Sequence, residues 1–198
     1  MLDGDQARIR LAFSVMFALP GAPMVFYGDE IGMGDDLSLP ERMSVRTPMQ
    51  WTSHSNGGFS SESPRDYVRP MISAGDFGFE RVSVSGQRGA PNSLLNWVAG
   101  LMRTRRECPQ IGSGKSSVLD VGNDSVLAIR YDTSECALLV LNNLSPTRRT
   151  ITLDLASQEI ASATDLFCDR HYGPVDPASQ RMVIRGSGYR WMRFNGVY

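Results

Sequence analysis

The sequence has almost no excess of positive or negative charge. Lys and Arg number 20 and Asp and Glu 21, for a formal net charge of −1 at pH 7. That balance gives no broad attraction to nucleic acid or to an anionic membrane surface, so neither is an expected partner, although local basic patches such as Arg103, Arg105 and Arg106 remain. Cysteine is scarce as well. Cys108, Cys136 and Cys168 are odd in number and far apart, with no CxxC pair and no Cys/His cluster to build a zinc site, which suits a reducing, cytoplasmic setting. The two histidines, His54 and His171, are too separated in sequence to suggest a catalytic pair. Long apolar runs are missing too. LAFSVMFAL follows Arg8 and Arg10 as a secretory leader would, but Asp3 and Asp5 offset those arginines, and Pro20 and Gly21 end the run well short of the roughly 20 residues a membrane span needs. Internal repeats and low-complexity segments are also absent.

What is present begins as a helix. Ile9, Phe13 and Met16 fall on one helical face with Leu11, Val15 and Ala18 beside it, and Pro20 and Gly21 stop it. MVFY then reads as a short buried strand leading into GDEIGMGDD, a polar loop with four carboxylates. Helix, tight turn, buried strand and polar loop make the unit of an α/β barrel, in which the loop after a strand lies on the face where chemistry happens. From Gly28 to Gly89 there is little sustained period, yet Trp51, Phe59, Tyr67, Phe77 and Phe79 argue against plain disorder. PNSLLNWVAGLMRTRRE predicts a helix, with Asn92 or Ser93 as its cap, Leu94, Val98 and Leu101 on one face, and arginines near the C-terminal end. Beyond Cys108, the runs SSVLDVG, SVLAIRY, CALLVLNNL, RRTITLDL, QRMVIRG and GYRWMRF are short and β-rich, separated by turn signals, and predict an antiparallel sandwich.

The stretch GAPMVFYGDEIGMGDDLSLPERMSVRTPMQW, with SLLNWVAGLMRTRRECPQIG after it and GYRWMRF at the end, resembles the C-terminal part of a family 13 glycoside hydrolase of the trehalose synthase and α-glucosidase group. YGDEIGM and VRTPMQW are specific in combination. The resemblance implies that MVFY is the eighth and last barrel strand, that SLLNW opens the eighth helix, and that the β-rich remainder is a C-terminal sandwich. The expected fold class is thus α/β plus all-β: residues 1–110 as the end of a TIM-type barrel with its long loop, and residues 111–198 as an antiparallel β-sandwich.

The resemblance also implies that the nucleophile, the general acid and a third carboxylate lie on earlier barrel strands, so no catalytic residue is assigned here. Asp29 and Glu30 are poor substitutes, because neighbours in extended chain point to opposite faces while retaining chemistry needs two carboxyl groups roughly 5 Å apart across one bond. The bland reading has one of them bonding backbone or a barrel arginine and the other facing water. The cluster Asp29, Glu30, Asp35 and Asp36 lacks the regular ligand spacing of a calcium loop, so no metal or cofactor is expected.

By the resemblance, Arg42 and Arg46 sit in a loop over the sugar entrance, where a guanidinium can fork hydrogen bonds to hydroxyls or hold a carboxylate gate, or else pin the loop to the barrel. Arg42 reads as the site-facing one and Arg46 as the pin, while Met43 stands where related sequences carry a polar residue. Trp51 can stack on a sugar ring or serve as loop core. Two readings stay open. In one, the chain is part of an enzyme on α-linked glucosides, completed by a polypeptide with the earlier strands or by self-association; in the other, it is a non-catalytic module binding carbohydrate or a partner. The barrel unit is expected to lean on such a partner, since Phe13, Met16, Val25 and Val98 would find no complete core within it.

Overall fold

The computed structural model describes residues 2–195, and contacts divide the chain into two compact units, Met1–Pro23 with Leu101–Tyr198 and Met24–Gly100.

The first unit opens with α1, Gln6–Ala18, whose N-cap Asp5 accepts hydrogen bonds from the backbone N–H groups of Ala7 and Arg8. Its buried residues are Leu11, Phe13, Ser14, Phe17 and Ala18. The face is therefore turned away from the expected Ile9–Phe13–Met16 stripe, because a serine at its centre is held by two buried partners. Ser14 Oγ donates to Asn142 Oδ1 at 2.6 Å and accepts from Trp191 Nε1 at 3.0 Å, and all three residues are fully buried. The helix ends where Leu19 turns extended ahead of Pro20. Its last carbonyls are taken up by other elements: Tyr131 Oη donates to Ala18 O at 2.6 Å, and the Arg105 guanidinium donates to Phe17 O and, beyond the helix, to Gly21 O. Burial lowers the proton affinity of that guanidinium somewhat.

The β-rich part of this unit forms two antiparallel sheets. β1 (Lys115–Val118), β2 (Val126–Asp132), β3 (Cys136–Asn143), β4 (Arg149–Thr152), β5 (Thr164–Cys168), β6 (Arg181–Ile184) and β7 (Tyr189–Asn195) pair in the orders β1-β2-β3-β7-β5 and β4-β6. Each predicted run contributes a strand. β5 has no counterpart among them, its sequence TDLFC being short and only half apolar. In β3 every residue after Cys136 is buried, which explains its unbroken ALLVL run: a strand covered on both faces does not alternate. Ala137, Leu139 and Leu141 join Met192 and Phe194 in one apolar cluster with Ile151, Leu153, Met182 and Ile184 of the second-sheet region. On the opposite face Asn142 reaches Ser14 of α1. Two charged contacts tie the margins. Arg130 bridges Asp132 and Glu159, and the buried Arg190 pairs with Asp165 at 2.6 Å while lying over the Tyr172 ring.

The second unit contains α2 (Val84–Arg88) and the first part of α3 (Leu94–Arg106), which precede α4 (Gln110–Ser113) and α5 (Ser157–Ala161) of the first. Ser93 is the cap of α3, its Oγ accepting from Asn96 N at 3.3 Å, and Leu94, Val98 and Leu101 are buried as the spacing predicts. Two expectations fail. MVFY is not a strand: residues 22–26 have no regular secondary structure and pair with no strand among the described residues, and Met24 is 88% and Phe26 42% exposed. An apolar, β-branched run reports a tendency to be buried, but a strand also needs a ladder. Phe13 and Val98, in turn, are buried within this chain rather than left without a core, whereas Met16 and Val25, expected to share their fate, are only half-buried.

Candidate functional site

The loop region of the second unit is ordered by its own hydrogen bonds. Gly28 and Gly32, both at positive φ, bracket a 3-10 turn over Asp29–Ile31. Within it Asp29 Oδ2 accepts from Phe26 N at 3.0 Å and Glu30 Oε2 from Gly28 N at 2.8 Å. Both carboxylates bond local backbone; Glu30 is half-buried and Asp29 is exposed, so the expected split between a backbone-bonded carboxylate and a water-facing one holds, with Asp29 bonding backbone as well. Ile31 turns inward to pack with Met49 and Val84.

Thr47, Pro48, Met49 and Gln50 form a buried segment. Tyr27 Oη donates to Thr47 O at 3.0 Å, Gln50 Nε2 donates to Phe77 O at 2.9 Å, and Gln50 O and Trp51 O accept from Val84 N and Ser85 N at the start of α2. The N–H groups of Trp51 and Thr52 both donate to Gly57 O at 2.8 Å. The tryptophan backbone is therefore locked while the residue stays 49% exposed. Asn56 completes the loop, its Nδ2 donating to Ser60 O and Glu62 O at 3.1 and 2.8 Å.

These constraints shape a groove of about 550 Å³. Its aromatic lining is Tyr27, Trp51, Phe59 and Tyr67, and its charged lining is Arg46, Arg69, Glu62 and Asp66. Phe59 and Tyr67 meet edge to face, with ring centroids 5.7 Å apart. Of the three residues singled out from the sequence, Arg46 and Trp51 line this groove together. Arg42 does not; it is exposed on the 3-10 turn Glu41–Met43. The neighbouring Met43, in the place where a polar residue was expected, offers its sulfur to the Arg69 guanidinium. Phe59 and Tyr67 stood out in the sequence only as signs of order; their shared groove depends on the Asn56–Gly57 turn, which composition does not reveal. His54 and His171 are both exposed. Among the described residues no three of His, Cys, Asp and Glu gather in a form that could hold a metal.

A family model described as the alpha amylase catalytic domain matches residues 2–114. The chain belongs to the α-amylase family. Relatives in this family extend over nearly all of it. A trehalose synthase of Pimelobacter sp. (strain R48) is 34% identical over 98% of the chain, and the trehalose synthase/amylase TreS of Mycobacterium tuberculosis is 34% identical over the same share. The chain spans about a third of the length of these relatives, 34% and 33% respectively. Among solved structures, a Bacillus licheniformis trehalose-6-phosphate hydrolase superposes with a TM-score of 0.77 at 19% identity, covering 98% of this chain and 40% of that one. The α-amylase from H. orenii superposes with a TM-score of 0.73 at 26% identity, covering 98% and 36%. The low identity of the first makes it evidence of fold alone. Among the described residues, no helix is long and apolar enough to cross a membrane.

Proposed function

We propose that the chain is the C-terminal part of an α-amylase-family enzyme acting on α-linked glucosides such as maltose and trehalose. The observation that carries this reading is the 34% identity to trehalose synthases over 98% of the chain, with only about a third of their length spanned. Residues 1–110 are then the end of a (β/α) barrel and residues 111–198 its C-terminal β-sandwich. The apolar run Met24–Phe26, with Met24 and Phe26 exposed and no ladder partner among the described residues, supports the first half of that division, and two antiparallel sheets sharing one apolar cluster support the second.

The nucleophile, the general acid and the third carboxylate lie outside this chain, on a polypeptide carrying the earlier strands. Asp29 and Glu30 do not replace them, since each is engaged by a backbone N–H within three residues. By itself the chain turns over neither maltose nor trehalose. Arg42, Arg46 and Trp51 contribute sugar contacts once the barrel is complete, and three unbridged cysteines suit a cytoplasmic setting. The half-exposed Trp51 also favours a second reading, a carbohydrate-binding module without catalysis. Assays of the purified chain with maltose, trehalose and a nitrophenyl α-glucoside, alone and mixed with a polypeptide carrying the preceding barrel strands, test the proposal. Turnover is expected only in the mixture. Turnover by the chain alone that is abolished by Glu30→Gln would sink it, and a mixture that binds sugar without turnover would favour the second reading.

A further inference from the structure

The first unit holds a cavity of its own, chemically unlike the groove. Its volume is about 140 Å³, well below the roughly 300–1,000 Å³ of sites for drug-sized ligands, so a fitting occupant is small. Gln6, Ala7 and Arg10 line it from the start of α1, Asp169 from just beyond β5, and Arg185 and Ser187 from the turn between β6 and β7. Gln6 and Arg10 are four residues apart on one helix face, and the short Ala7 beside them leaves the space open. The charged lining is two guanidiniums and one carboxylate, an excess of one positive charge. Asp169 is fixed through Oδ1, which accepts from Tyr172 Oη at 2.7 Å and from Tyr189 N at 3.0 Å. Its other oxygen is not so served. Among the described residues Oδ2 accepts no hydrogen bond although the side chain is only 10% exposed, and Arg185 Nε lies 3.5 Å away, at ion-pair distance but without hydrogen-bond geometry. A buried carboxylate oxygen without a donor is costly, and what it lacks is a proton to accept.

We propose that this cavity binds a phosphoryl group that still carries one proton. Arg10 and Arg185 donate to its charged oxygens, each guanidinium having more N–H groups than a single contact uses, and the P–OH donates to Asp169 Oδ2. Arg185, whose side chain is 50% exposed, can turn from the carboxylate to the anion without disturbing the core. The carboxylate then acts as a filter. Sulfate has the same tetrahedral shape but no proton near neutral pH, so one of its oxygens would meet Oδ2 as acceptor against acceptor and charge against like charge. The positive excess attracts both anions, and the proton separates them. Inorganic phosphate and the end of a phosphate monoester share this chemistry.

The test is a titration of the intact 198-residue chain with inorganic phosphate, sulfate and glycerol phosphate, followed by calorimetry near neutral pH at constant ionic strength. Phosphate should bind with measurable heat, and sulfate should bind roughly tenfold more weakly or worse, the scale of one lost charge-assisted hydrogen bond. Glycerol phosphate binding as tightly as phosphate would assign the site to monoesters as well, and much weaker binding would restrict it to the free ion. Arg185→Gln, at an exposed position where folding is not at stake, should weaken phosphate binding roughly tenfold with an unchanged circular dichroism spectrum. Asp169→Asn keeps Oδ1 for Tyr172 and Tyr189 and puts an amide N–H where Oδ2 stands, so sulfate should gain and the two anions should bind alike. An aspartate with only a structural role would not move that ratio. Absence of heat with phosphate, equal affinities for phosphate and sulfate in the unaltered chain, an affinity unmoved in Arg185→Gln, or a preference for phosphate kept in Asp169→Asn would each overturn the proposal.

Discussion

Replacing Ser14 by Ala should destabilise the first unit far more than the loss of one hydroxyl from a helix suggests. The hydroxyl is the shared partner of two groups distant in sequence, Asn142 Oδ1 at 2.6 Å and the Trp191 indole N–H at 3.0 Å, in surroundings where all three side chains are fully buried. Removing it leaves an acceptor and a donor unpaired away from water, at about 1–3 kcal/mol each. Alanine returns about 0.5 kcal/mol through its better helix propensity. The expected loss is therefore about 2–5 kcal/mol, a large part of the ~5–15 kcal/mol by which ordinary domains are stable. Asn142 Nδ2 already has no partner, so the amide has no spare bond with which to compensate. Urea unfolding followed by far-ultraviolet circular dichroism measures the loss, as a lowered midpoint at unchanged slope. A cycle with Trp191→Phe isolates the indole's share: in the phenylalanine background Ser14→Ala should cost measurably less, because no N–H remains to be orphaned. A loss below about 0.5 kcal/mol, the size of an ordinary surface change, would refute the account of α1 as anchored by this buried triad.

Gly58→Ala should cost about 1–3 kcal/mol and disturb the groove, since a Cβ there would meet Thr52 Oγ1 at 2.7 Å on a backbone held at φ +68°; chemical denaturation gives the first effect, and a shift in tryptophan emission, lost in a Trp51→Phe background, gives the second. Cys168 provides a pH test. Burial, followed by the nearby Asp165 carboxylate, pushes its thiol from 9.0 up to about 12. The folded state thus holds that proton more tightly than the unfolded state does, so the contribution is fully present below pH 9 and is lost as pH rises from about 9 to about 12. Cys168→Ala should flatten the alkaline limb of the stability profile, and an unchanged limb would mean that the thiol ionises as freely in the folded chain as in the unfolded one.

What the sequence conveys about this fold depends on how far each signal travels along the chain. The α3 helix and six of the seven strands carry their evidence locally, in a cap, a period or a turn residue. β3 is recognisable even without alternation, because ALLVL is too short for a helix and is bounded by turn signals. MVFY misleads for the opposite reason. Its composition is that of a buried strand, but hydrogen-bond partnership belongs to a neighbouring strand, and no described residue provides one. The orientation of α1 is hidden at still longer range. Nothing near Ser14 marks it as the centre of a buried face; the reason lies 128 residues away at Asn142 and 177 residues away at Trp191. The groove is intermediate. Arg46 and Trp51 are legible through VRTPMQW, whereas Phe59 and Tyr67 reach the same groove through a turn at Asn56 and Gly57, both at positive φ. A glycine can be read as permitting that conformation, but an asparagine in the same region of φ is recognised only once its side chain is seen bridging Ser60 and Glu62. That bridge gives Asn56 a consequence its neighbours lack. Of the two turn residues, the one whose φ is less expected also bonds the Glu62 carbonyl, so the geometry of the groove and the local cost of the turn are set by the same side chain.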